Sequence, residues 1–212
     1  GAPERYETIV ASAQGGEVQT TARMPIVTRA LADIDPHGID TVIVGGGSAG
    51  GSPIVPDALV AWIAVNAADL RRICSICAGA FVLAATGLLD GRRATTHWHW
   101  APRLAQDYPQ IAVEPDSIFV NDGKLWTSAG VTAGIDLTLA LIEQDYGYRA
   151  AIEAARRLVV FMKRPGGQAQ FSVPLLLQSG SGEGFAELHG WMRENLAGDL
   201  RVERLAERAG MA

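Results

Sequence analysis

The sequence predicts an α/β domain with a mostly parallel sheet, and three observations carry that expectation. Uninterrupted apolar, β-branched runs recur at 39–44 and 72–76, as in strands buried on both faces. Segments with helical spacing separate and follow them, at 56–70, 78–89, 132–146 and 150–162. The apolar fraction is 48% over 212 residues, enough for a sizeable core.

Taken in order, 6–12 (YETIVAS) is strand-like, Gly15-Gly16 turns, and 17–21 is a short extended piece. Ile39 to Val44 is a stronger strand stopped by glycines. Pro56 suits a first helical turn, and Leu59, Trp62, Ile63 and Asn66 follow at helical spacing. Arg72 to Ile76 is a strand, and Ala78 to Leu89 a helix ending near Asp90-Gly91. Ser117 to Val120 and Leu125 to Thr127 form a hairpin around Asn121-Asp122-Gly123. After Met162 the composition turns linker-like, with PGG and SGSGEG. An amphipathic helix follows at 185–196. Val202, Leu205, Ala206 and Ala209 mark the apolar face of another helix, closed by Gly210. The expected domains are 1–165, a linker at 166–184, and 185–212. No internal repeat is visible.

Net charge is −5, which argues against the main body being a nucleic-acid or anionic-membrane surface. No apolar run has the length of a membrane span, and no signal-peptide pattern opens the chain. With two cysteines there is no disulfide scaffold, so a reducing cytoplasm is the expected compartment.

Gly45-Gly46-Gly47-Ser48-Ala49-Gly50 satisfies GxGxxG after a strand, but Pro53 and Pro56 delay the helix a dinucleotide site needs. It reads as a strand-end loop whose glycines permit close backbone approach. Cys74 and Cys77 are spaced CxxC, yet no second ligand pair completes a zinc site, and neither a metal nor a cofactor is expected. Strand alternation separates the two thiols: Cys74 reads as core. Cys77 stands where a strand becomes a helix, before Ala78-Gly79-Ala80. There it is either an elbow thiol near a helix N-terminus or a small residue in a crowded turn. His97, in TTHWHW, is positioned to return to the same sheet edge, and spacing does not decide between His97 and His99. In Thr127 to Gly134 small residues end a strand and open a helix; they either expose N–H groups to an anion or carbonyl oxygen, or Thr132 caps the helix with Asp136 in its first turn.

VIVGGG, ICSICAGAFVLAATGLLDGRRATTHW, WTSAGVTAGIDLTLALIEQDYG and ARRLVVFMKRPGGQAQFS follow one another in order. Together they resemble AraC-type transcriptional regulators whose N-terminal half is a DJ-1/PfpI-like (class I glutamine amidotransferase-like) domain. LRVERLAERAGM resembles the opening of their helix-turn-helix domain. The resemblance implies a flavodoxin-like three-layer sandwich, with Cys77 at the family's elbow and amides of Gly47 and Ala78 forming an oxyanion-hole-like pocket. The implied ligand pocket comprises Gly46, Gly47, Cys77, Ala78, His97, Val131 and Thr132. Cys77 and His97 are the candidates for any catalysis.

Two departures follow. Ala78 stands where protease-like members carry histidine. The chain also begins at what looks like the second strand, so the first strand, and the first-helix glutamate of reactive members, are expected to be absent. It stops at Met211-Ala212, before a recognition helix, so alone it is not expected to bind DNA specifically. The resemblance implies a bacterial homodimeric regulator that senses an unknown small molecule, reaches DNA through its full-length C-terminal domain, and has no membrane partner. It is expected not to be an enzyme. The alternative is a cysteine-dependent hydrolase of the superfamily, or one resembling isocyanide hydratases, using Cys77.

Overall fold

Strand β-branching and glycine punctuation give the chain its first unit, Gly1–Gln170; Phe171–Ala212 forms a second. The computed structural model describes residues 6–20, 23–160, 164–167, 170, 183–196 and 198–209.

Three N-terminal strands, β1 (Ala11–Ser12), β2 (Gly16–Gln19) and β3 (Pro25–Ala30), make a small sheet in the order β1-β3-β2. The extended run expected at 6–12 keeps only two strand residues, and β3 was not anticipated. The main sheet contains β4 (Thr41–Gly45), β7 (Arg72–Ile76), β10 (Phe119–Asp122) and β11 (Leu125–Ser128), in the order β10-β11-β7-β4. β7 runs parallel to both β4 and β11, with Ile43 opposite Cys74 and Trp126 opposite Cys74 on the other side. β10 closes the edge as the antiparallel arm of the expected hairpin, turned at Gly123 with φ +64°.

Alternation along β7 builds two cores. Ile73 enters one with Val44, Ile63, Phe81, Leu83 and Leu104, supplied by α1 (Asp57–Asn66), α2 (Gly79–Ala85) and α3 (Ala101–Asp107). Cys74 enters the other with Trp126, Leu137 and Leu141, beneath α4 (Val131–Tyr146). Helices therefore cover both faces, and the expected three layers are present. α5 (Tyr148–Arg157) packs on α4 through Ala151 and Ala155. It ends well before the expected Met162, which lies outside the described residues. Val159 already has φ +54°, a left-handed value that a β-branched residue in a continuing helix does not take.

Short pairs complete the unit: β5 (Ser48–Ala49) with β6 (Ser52–Pro53), and β8 (Arg93–Ala94) with β9 (Ala112–Val113). In the second unit, α6 (Glu183–Glu194) and α7 (Val202–Arg208) meet where the Arg208 guanidinium lies 4.6 Å from the Trp191 ring centroid. Leu205, Ala206 and Ala209 are partly covered, whereas Val202 is exposed because it is the first residue of its helix. Gly210 and most of the expected linker, 168–169 and 171–182, lie outside the described residues. Among the described residues no helix is long and apolar enough to cross a membrane.

Candidate functional site

The elbow is built by glycines on two elements. Gly46 leaves β4 directly against the start of α2: a Cβ there would collide with Ala78 N and stand 2.6 Å from Gly79 N. Gly79 in turn lies against the Val44 carbonyl, where a Cβ has no room. These contacts press the first turn of α2 onto the end of β4 and force a sharp reversal after β7. Cys77 absorbs it with φ +55°, in the left-handed region that L residues rarely occupy. Its amide donates to Ser128 O at 3.0 Å, and its carbonyl accepts from Thr96 Oγ1 at 2.7 Å. The elbow is thereby stitched to β11 and to the segment carrying His97.

The thiol is half-buried. Burial pushes it above the ordinary cysteine value, and the Ala78 N–H directed at it offsets this only in part. The Cys74 thiol, fully buried in the second core, is pushed up to about 12, with Arg72 opposing burial. Neither is an activated thiolate at neutral pH. Alkylation of Cys77 by iodoacetamide should therefore be slow at pH 7 and climb through pH 9. A rate already on its plateau below pH 7 would contradict this electrostatic account.

His97 sits beside Gly130, where a Cβ would be 3.3 Å from its Cδ2. Burial, helped by His99, lowers its pKa, so the ring is neutral at pH 7. The His99 amide donates to His97 Nδ1 at 3.2 Å, which leaves the ring proton on Nε2. No hydrogen bond joins His97 to Cys77 among the described residues, and a ring with Nδ1 occupied and Nε2 protonated is not a base for that thiol.

The other expected pocket residues divide. Gly46, Cys77 and Ala78 come together, whereas the Gly47 carbonyl accepts from Ile54 N, just past β6, at 2.9 Å. Val131 is 82% exposed, because it opens α4 on the solvent side. Of the two readings of 127–134, the Thr132 cap is not the one found. Gly130 holds the N-cap position, no side chain caps the first turn, and Thr132 Oγ1 accepts from Arg164 at 3.2 Å. Asp136 falls in the second turn of α4 and not the first, where it is buried and takes three hydrogen bonds from Arg164, between 2.7 and 2.9 Å.

Sequence reasoning missed Arg164 and Gln170. Both fall in a Gly-rich stretch whose composition suggests a linker, and no local pattern marks either one. An open cleft of about 830 Å3 along α5, lined by Tyr146, Tyr148, Arg149 and Arg156, holds neither thiol nor imidazole. The elbow, by contrast, brings a half-buried thiol beside the Ala78 N–H. Among the described residues no group of three His, Cys, Asp or Glu is placed to hold a metal.

A family model described as DJ-1/PfpI matches residues 3–144, about two thirds of the chain and all of the elbow. The chain belongs to the DJ-1/PfpI family. Among its DJ-1/PfpI relatives, the HTH-type transcriptional regulator CdhR of Pseudomonas aeruginosa is 33% identical over 205 residues, covering 96% of this chain and 60% of CdhR. Isonitrile hydratase of Pseudomonas putida is 38% identical over 115 residues, covering 53% of this chain and 48% of the hydratase. The chain thus spans about half to 60% of the length of these curated relatives. Among solved structures, an AraC family transcriptional regulator from Pseudomonas putida superposes with a TM-score of 0.64 at 20% identity. It covers 74% of this chain and 83% of that one, and supports the DJ-1/PfpI fold.

Proposed function

We propose that this chain is the effector-sensing and dimerising part of an AraC-type transcriptional regulator acting in the bacterial cytoplasm. In this reading α6 and α7 open its helix-turn-helix domain. The observation that carries it is the extent of relatedness. The regulator CdhR aligns over 96% of the chain and so takes in α6, whereas the hydratase aligns over 53%. A small effector binding at the elbow would shift a two-state equilibrium by its differential affinity for the two states.

An enzyme reading is favoured by one feature, the left-handed Cys77 with the Ala78 N–H at its sulfur. Against it stand a thiol raised by burial and an imidazole that is not bonded to it. Footprinting the full-length protein on DNA flanking its own gene separates the two. A protected segment with two half-sites spaced by whole helical turns supports the regulator. No protection, together with turnover of an isocyanide that Cys77→Ala abolishes, overturns it.

A further inference from the structure

Three anchors hold the end of the first unit against the rim of the elbow site. Arg164 grips the first turns of α4 through a backbone amide and a forked guanidinium on buried Asp136, with a further bond to Thr132. The Gly166 carbonyl accepts from Ile118 N at 2.9 Å and Phe119 N at 3.2 Å, as if one more ladder position had been added to β10. Only glycine fits there, because a Cβ would lie 2.5 Å from Phe119 O.

Gln170 is the third anchor and the most informative. Its Oε1 accepts from Trp98 N at 2.9 Å, while its Nε2 donates to Thr96 O at 2.9 Å and Pro115 O at 2.7 Å. The amide can be oriented only one way, since a flip would set NH2 against N–H and oxygen against carbonyls. The side chain thus clamps the residues on both sides of His97. Its own amide donates to Asp116 O at 2.7 Å. Residue 170 is also the last of the first unit.

We propose that the Arg164–Gln170 segment is the coupling element of this protein, with Gln170 a positioning residue for the His97 loop. Occupancy of the elbow site and attachment of the segment that continues into residues 171–212 are then linked. The proposal rests on the sensing reading of the elbow. Thr96 connects the two ends: its hydroxyl holds the Cys77 carbonyl and its own carbonyl is held by Gln170. A ligand or adduct at Cys77 that displaces Thr96 must loosen Gln170. By reciprocity, loosening Gln170 alters the site.

The test uses the intact chain with iodoacetamide as probe of Cys77, Cys74 being fully buried. Carboxamidomethylation should speed amide exchange at Ile118, Phe119 and Gln170 about tenfold, leaving β7 protected. In the reverse direction, Gln170→Ala should speed Cys77 alkylation about fivefold to tenfold and raise the His97 pKa toward its ordinary value. Gln170→Glu keeps the shape but faces carbonyls with a carboxylate, and should behave like the alanine variant. A purely structural role would lower the unfolding midpoint and leave the alkylation rate and His97 titration unchanged; that result overturns the proposal. So does an adduct that leaves all three amides protected, a measurement needing no variant to fold. If the linkage holds but full-length DNA binding ignores the elbow, the sensing reading fails and the linkage stands.

Discussion

Replacing Asp145 by alanine is expected to cost about 3 kcal/mol of unfolding free energy, the low end for removing one partner of a buried pair, because Asp40 stays 3.6 Å from the Arg72 guanidinium. Arg72 opens β7 with its side chain only 4% exposed and ion-paired to Asp145. It also donates to Gln144 Oε1 at 2.9 Å and Thr41 Oγ1 at 3.0 Å. Asp145 further accepts from Arg71 at 2.8 Å and from the Tyr6 hydroxyl at 2.7 Å. One carboxylate thus ties α4, β7 and the N-terminal segment at the end of the sheet opposite the elbow.

Burial works against that charge, but the hydrogen bonds from Arg71, Arg72 and Tyr6 outweigh it and hold the carboxyl below the usual range. A depressed native pKa means the contribution is full above about pH 4 and is lost as pH falls below that. Burial and the Asp145 contact raise the Tyr6 hydroxyl instead, so its contribution is present up to about pH 10 and lost above. Urea unfolding of Asp145→Ala at pH 7 and pH 3 checks the cost and its loss in acid: the gap from wild type should shrink at the lower pH. Glu153→Ala, which removes an exposed pair with Arg157, should cost under about 0.5 kcal/mol.

Gly79→Ala is expected to cost about 3 kcal/mol and to disturb the elbow as well. The added Cβ meets the Val44 carbonyl oxygen, with Val44 C at 3.1 Å and Gly45 C at 3.3 Å. All of these are backbone atoms of β4, so no side chain can swing aside. The first turn of α2 must lift, and Cys77 and the Ala78 amide move with it. Gly50→Ala is the contrast. Its φ is +57° but nothing lies near its Cβ, so its cost is limited to backbone strain of about 1 kcal/mol. Denaturant midpoints rank the two, and only Gly79→Ala should change the rate of Cys77 alkylation.

What the sequence made legible is what local periodicity controls. β7 was visible because it is buried on both faces, and β4 because its β-branched run ends on glycines, even though Ile43 is exposed. The elbow was visible because Ala78-Gly79-Ala80 leaves few alternatives after a strand. β3 escaped because its adjacent apolar pair, Ile26 and Val27, is exposed while the covered positions are Thr28 and Ala30, so no apolar alternation marks it. α3 escaped because seven residues with only Ala101 and Leu104 buried give less than two turns of pattern. Arg72 was legible only as the start of a strand, and Asp136 only as an acid near a helix start. Their burial depends on partners 73 and 28 residues away, which no window along the chain contains. Gln170 was hidden for a different reason: linker composition describes an average, while the clamp is one amide with the right neighbours.

In the regulator proposed above, the state of the elbow governs DNA binding by the C-terminal domain. The most direct test is the affinity of the full-length protein for its footprinted site, measured at one salt concentration with Cys77 free and carboxamidomethylated. The account predicts that Kd shifts by about 5-fold to 150-fold while the protected segment stays the same. An identical Kd for the two forms, or no protected segment for either, would contradict it.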